Sequence, residues 1–218
     1  SSGQGLNQES SLKRAGDTRW SSHYNTLVRL SIMFDSVTDV LEIISEDSSN
    51  SDHRDEAKCL LDIMQTFEFV FFLVLMRRIL AITNDLSQAL QRKDQDIVNA
   101  MNLVNISKGR LQEMRENGWS FLLDEVTSFC EKHGISVLNM DDTFFARGRR
   151  RRNTVETKNL HHYRVDVLYT VLDMQMQELN ARFSVANTEL LLCMASLSPC
   201  NLFCNFDKCK LVRFAEFY

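Results

Sequence analysis

The sequence predicts an all-α protein, an irregular bundle of six to seven helices, and three observations carry that expectation. Turn residues are scarce: the 218-residue chain has 7 Gly and 1 Pro, and from Asp17 onward these are Gly109, Gly118, Gly134, Gly148 and Pro199. A sandwich or barrel needs a Gly-, Asn- or Pro-bearing turn roughly every 8–12 residues, which excludes an all-β fold. A doubly wound α/β fold, with its glycine-rich loops, is disfavoured on the same ground. Second, apolar residues recur at alternating spacings of three and four over long stretches, the period of a helix face. Third, Phe69 to Met76 is apolar on every side, and a helix of that kind must be surrounded by others.

Residues 1–16 are polar, Ser/Gly/Gln-rich and aperiodic, and read as a disordered lead-in. Leu27, Leu30, Phe34, Val37, Leu41 and Ile44 then form one stripe of a helix from about Ser21 to Ser45, with Ser21 or Ser22 as its cap. The polar stretch Glu46 to Arg54 reads as a loop ending at Asp55, the cap of a long helix to about Gln91 that holds the central core segment. Leu90, Ile97, Val104 and Leu111 lie seven apart and, with Met101 and Met114, predict a helix over Asp94 to Asn117 stopped by Gly118. Trp119 to His133 carries Leu122, Val126, Phe129 and Cys130 on one face and stops at Gly134. An exposed basic loop is expected over about 135–157, containing Arg147, Arg149, Arg150, Arg151 and Arg152. Val165, Leu168, Leu172, Met176, Leu179 and Phe183 predict a helix from about Lys158 to Phe183. Shorter helices follow over Asn187 to Leu197, ahead of Pro199, and over Asp207 to Tyr218.

At 44% hydrophobic and 25% charged residues the composition is that of an ordinary globular protein, so disorder of the whole is excluded. The net charge of −4 argues against a uniformly basic nucleic-acid binder while leaving room for a local basic patch. The apolar run Phe69 to Met76 is eight residues long and is followed by Arg77 and Arg78. That falls short of the roughly 20 residues needed to cross a bilayer, so no membrane association is expected. The chain opens on Ser1 and ends within a helical pattern at Tyr218, and reads as a piece of a longer protein. Six cysteines without a secretory signal read as reduced thiols.

Tests for chemistry favour none. Phosphate-cradling glycine loops, HExxH, GxSxG and CxxC are all missing from the sequence, so no catalytic residue, cofactor or small-molecule substrate is assigned. Cys200, Cys204 and Cys209, with Cys193 upstream, are a weak match to zinc spacing and sit among Phe203, Phe206 and Leu211, so no metal ligand is assigned. Asp141 with Asp142, and Glu46 with Asp47, read as solvated loop carboxylates. His161 and His162 read as solvent-facing or capping residues at a helix start. The run RGRRRR differs in kind: packing five arginines together incurs repulsion that phosphate or an acidic groove relieves, which points to a nuclear-localisation or DNA-backbone role against the plainer reading of a solvated loop.

The segment Asp17 to Tyr24 (DTRWSSHY), followed by a leucine-patterned helix, resembles the "TRW" block of hAT-superfamily transposases. ALQRKDQDIVNAM (Ala89 to Met101), SFCEKHGI (Ser128 to Ile135), HHYRVDV (His161 to Val167) and ELLLCMASLSP with FDKCKL (Glu189 to Leu211) resemble plant zinc finger MYM-type protein 1-like and TTF-type zinc finger proteins with an hAT dimerisation region. The similarity runs in the expected order from Asp17 almost to the end. It implies the helical insertion of an RNase H-like transposase, without the catalytic core. The family's two aspartates would lie upstream and its glutamate downstream of this chain. Glu216 belongs to the preceding block (Val212 to Tyr218) and is not that glutamate. The zinc finger is absent too, and the dimerisation region lies mostly downstream, so a protein partner or self-association through that region is an open expectation. For Trp20 the resemblance implies stacking on a flipped base, with Arg19 near backbone phosphate; the alternative is that Trp20 anchors the first helix. The expected role is thus a noncatalytic fragment of a domesticated or decayed transposase touching DNA or a protein, in a nucleus. The alternatives are a portion of an active transposase and a purely protein-interacting bundle.

Overall fold

The computed structural model describes residues 20–92, 97–145, 157–197 and 206–216. Among these the chain is helical and has no strand. The order is α1 (Trp20–Ile32), α2 (Phe34–Asp47), α3 (Ser51–Met64), α4 (Phe67–Leu90), α5 (Ile97–Lys132), α6 (Asn159–His161), a π-helical segment (His162–Tyr169), α7 (Thr170–Arg182), α8 (Val185–Ala195) and α9 (Lys208–Glu216). Two compact units are present: one comprises residues through Ala81 with Ser120–Asn139, the other Ile82–Trp119 with Met140 onward.

The all-helical expectation holds, but several boundaries move. The first predicted helix is two helices hinged at Met33, whose backbone leaves helical geometry (φ −98, ψ 16). Ser31 Oγ donates to Leu27 O at 2.9 Å, a back-bond that bends helices, and Phe34 turns inward to 2% exposure. Ser21 and Ser22 lie inside α1 rather than capping it. The polar stretch Glu46 to Arg54 contains only a short break: Asn50, not Asp55, caps α3 by accepting from Asp52 N–H at 2.9 Å. The predicted long helix bends by 72° between Met64 and Phe67. Thr66 makes that bend, its hydroxyl accepting from Phe69 N–H at 3.2 Å as an N-terminal cap.

Gly118 does not stop a helix. It sits within α5, where an added Cβ would meet Met114 Cγ at 3.0 Å. Gly134 is the stop: its φ of 67 is the left-handed conformation glycine tolerates. Ile135 N–H donates to Cys130 O at 2.9 Å and Gly134 N–H to Glu131 O at 3.4 Å, the paired closure of a Schellman motif. Ile135 and Cys130, the accompanying apolar pair of that motif, are both buried.

In the first unit Phe34 meets Phe129 edge-on at 5.1 Å and His133 at 4.8 Å. Val70, Phe71, Leu75, Ile79, Leu122, Val126 and Cys130 are buried to 1% exposure or less. Each such side chain contributes about 1.5–3 kcal/mol on burial. Burial pushes the Cys130 thiol up to about 11. Glu125 accepts from both Arg77 and Arg78, the latter at 2.5 Å, tying α4 to α5.

The second unit is built on Leu86, Met101 and Val104, against which Leu90, Ile97, Leu179, Phe183 and Leu192 pack. Lys108 Nζ donates to Phe183 O at 2.9 Å and so satisfies a carbonyl at the end of α7. Ser184 caps α8 and Asp207 caps α9. Arg213 joins α9 to α8 through Glu189 at 2.7 Å, and that bond holds the Glu189 carboxyl below its ordinary range. No single helix among the described residues is long and apolar enough to cross a membrane.

Candidate nucleic-acid interface

The predicted loop over 135–157 has a closed base. Phe144 N–H donates to Thr157 O at 2.7 Å, Asn159 N–H to Asp142 O at 2.9 Å and Leu160 N–H to Met140 O at 2.9 Å, around an antiparallel bridge between Thr143 and Lys158. Backbone pairing of this kind satisfies donors that a loop would otherwise leave to water. Phe144 stacks on His162 (3.6 Å, 14°) and meets Tyr163 edge-on at 6.2 Å, so an aromatic cluster seals the neck from one side. Arg147, Arg149, Arg150, Arg151 and Arg152 belong to the segment between the two arms of this neck and lie outside the described residues. Arg19 lies outside them as well. Trp20 is the first residue of α1, and its side chain is outside what the structure describes. The structure therefore brings none of these seven residues into a described contact.

Beside the neck, an open cleft of about 520 Å³ is lined by Lys158, Leu160, His161, Arg164, Val165 and Tyr169, with Thr157. The π-helical segment supplies Arg164, Val165 and Tyr169 of its lining. A π-helix pairs residues five apart, where an α-helix pairs residues four apart. Three side-chain contacts follow that spacing: His161 Nε2 faces Asp166 at 3.5 Å, Arg164 Nε donates to Tyr169 Oη at 2.8 Å, and Thr170 Oγ1 donates to Val165 O at 3.4 Å. The opposite side of the segment is anchored by Tyr163, Val167 and Leu168, all buried.

Charge in the cleft is mixed and exposed. Lys158 reaches Asp141 at 3.3 Å with both side chains mostly in solvent, and His162 Nδ1 shares Asp166 with His161 at 3.6 Å. His161 is thus solvent-facing as expected, whereas His162 is largely covered, its side chain 19% exposed against Phe144. Arg115 lies over the Tyr169 ring at 4.9 Å and grips Asp173 through two bonds of 2.6 and 3.1 Å. That fork holds the Asp173 carboxyl below the usual carboxylate range and raises Arg115.

Sequence reasoning overlooked Lys158, Arg164 and Tyr169. The signal was a basic and aromatic composition over 157–169, which an α-helical period scatters around the axis. No group of three or more potential metal ligands occurs among the described residues. Of the cysteines weighed against zinc spacing and left unassigned, Cys193 is buried, Cys209 is exposed, and Cys200 and Cys204 lie outside the described residues. No family model matches the chain, and no solved structure matches it.

Proposed function

We propose that this chain is the helical insertion region of a domesticated or decayed hAT-type transposase, noncatalytic by itself, which touches the DNA backbone in a nucleus. The observation that carries the DNA contact is the closed neck at Phe144 and Thr157, from whose arms the arginine-rich segment is carried. Five arginines within six residues of sequence concentrate positive charge on a chain of net charge −4. Arginines gathered in this way neutralise backbone phosphates and release their counterions, which makes binding fall steeply with salt. An all-helical chain also fits an insertion separated from a strand-rich catalytic core.

Gel shift of duplex DNA by the chain tests this directly. Retention that disappears between low and moderate salt, and that is lost when Arg147 and Arg149 through Arg152 become Gln, supports it; unchanged retention in that variant overturns it. Trp20 is tested separately. A Trp20→Ala variant that melts far lower yet keeps its DNA affinity assigns Trp20 to anchoring α1, and the reverse pattern assigns it to stacking. An active parent enzyme is the alternative reading, decided by whether the flanking reading frame supplies the two upstream aspartates and the downstream glutamate.

A second reading has its own support. Val40, Ile43, Leu60 and Ile63 on α2 and α3 are between 43% and 58% exposed, and apolar side chains left in solvent in this way suit a protein partner. Association through that surface would be insensitive to salt.

A further inference from the structure

The cleft beside the neck has a chemistry of its own. Lys158, His161 and Arg164 present cationic or potentially cationic nitrogens to one open volume of about 520 Å³, within the size range of ligand sites. The carboxylates that face them are Asp141, toward Lys158, and Asp166, toward His161 and His162. Neither closes the site. The Lys158–Asp141 pair is 3.3 Å long with side chains 63% and 79% exposed, so an incoming anion displaces it easily. Arg164 is bonded through Nε to Tyr169 Oη, which leaves its terminal nitrogens as donors in a fixed fork suited to phosphate oxygens. Arg115, the other cation at Tyr169, is already matched by Asp173. The π register is what sets Arg164 beside Tyr169, and such registers recur at functional sites.

We infer that this cleft is a phosphate-binding site that takes one phosphodiester of a nucleic-acid strand, with Lys158, His161 and Arg164 as donors and Tyr169 as the residue that positions Arg164. The inference rests on the DNA-contact reading and adds to it a second point of attachment, next to the neck and distinct from the arginine run. A strand held at both points would be fixed in direction as well as attracted, since the run supplies charge and the cleft supplies geometry.

Fluorescence anisotropy of a short fluorescein-labelled oligothymidylate tests it, using the chain, a Lys158→Gln/Arg164→Gln double variant, Tyr169→Phe, and the variant with all five arginines of the run replaced by Gln. The double variant is expected to bind about tenfold more weakly at low salt. Its plot of log affinity against log salt should be shallower by about 0.7, the step for one phosphate lost from a single strand. Tyr169→Phe keeps the ring and the melting temperature but weakens binding, because Arg164 loses its hydroxyl partner. Lys158 is mostly exposed, so its single Lys158→Gln variant, which should bind more weakly with a slope shifted in the same direction by a smaller step, keeps the test valid should Arg164→Gln perturb folding. Binding unchanged in the double variant but lost in the five-arginine variant overturns the cleft and leaves the DNA reading standing. A parent chain that binds no oligonucleotide at the lowest salt overturns both. Displacement of the strand by micromolar inorganic phosphate at matched ionic strength would assign the cleft to free phosphate and overturn the strand.

Discussion

The first half of α4 and the π-helical segment are both helical, yet different forces hold them. From Val70 to Leu80 of α4, Val70, Phe71, Leu73, Val74, Leu75, Ile79 and Leu80 are all at most 5% exposed. In the π segment only Tyr163, Val167 and Leu168 are buried; Arg164 pairs with Tyr169 at a spacing of five and His162 with Asp166 at a spacing of four. The first arrangement maximises apolar burial, which stabilises without directing anything. The second carries less burial and more polar side-chain pairing. On the proposed reading, stability and ligand contact fall on different stretches of chain, and substitutions in the two should separate in what they change.

The largest effect is expected for Phe71→Ala, at 0% exposure, which should lower unfolding free energy by about 3–5 kcal/mol in urea melts. Arg164→Gln in the π segment should cost far less stability than this; a comparable loss would break the contrast. Next are Gly109 within α5 and Gly134 just past its end. Gly134→Ala, forced into φ 67, should destabilise by about 1–2 kcal/mol. Gly109→Ala, with nothing within 4 Å of the added Cβ, should stabilise by about 0.5–1 kcal/mol. Opposite signs at two glycines of one region would establish that Gly134 alone of the pair serves as a stop.

Thiol chemistry sharpens the same contrast. Cys130, with its thiol pushed up to about 11, should resist alkylation in the folded chain, while exposed Cys59 and Cys209 react. Peptide mapping after iodoacetamide treatment checks this, and modification of Cys130 at the rate of Cys59 would contradict the dry packing described for the first unit. The smallest effect is at Asp173. Its carboxyl is lowered in the folded state by Arg115, so the stabilisation is present above the ordinary aspartate value of about 4 and is lost as pH falls through the lower folded value. Asp173→Asn should remove that part of the acid dependence, lowering the melt slightly at neutral pH and converging on the parent's melt at low pH.

Much of the architecture was legible in the sequence. The six-position stripe from Leu27 to Ile44 marks both α1 and α2, and Gly134 ends α5 where it was expected. The hinge at Met33 was not legible, because Met33 N–H still donates to Arg29 O and Val37 N–H to Met33 O, both at 2.9 Å, and the apolar spacing runs through it unchanged. Gly118 was misread because glycine stops a helix only where φ turns positive, and φ is not written in composition. The bend at Thr66 lacks both Gly and Pro and depends on a single hydroxyl. For the candidate interface, the basic run was visible as charge, but its closed neck depends on pairing between residues some fifteen apart. The cleft was hidden by its register: Arg164 and Tyr169 come together at a spacing of five, and an α-helical reading places them on different faces.

The central claim is that the arginine run on its closed neck meets DNA phosphates. The most direct measurement is the slope of log affinity for duplex DNA against log salt concentration, for the chain and for the variant with Arg147, Arg149, Arg150, Arg151 and Arg152 changed to Gln. Full engagement of five arginines predicts a slope shallower by about four to five in the variant, with the melting temperature unchanged. Equal slopes in the two proteins would contradict the claim and leave the apolar surface of α2 and α3 as the stronger basis for a function.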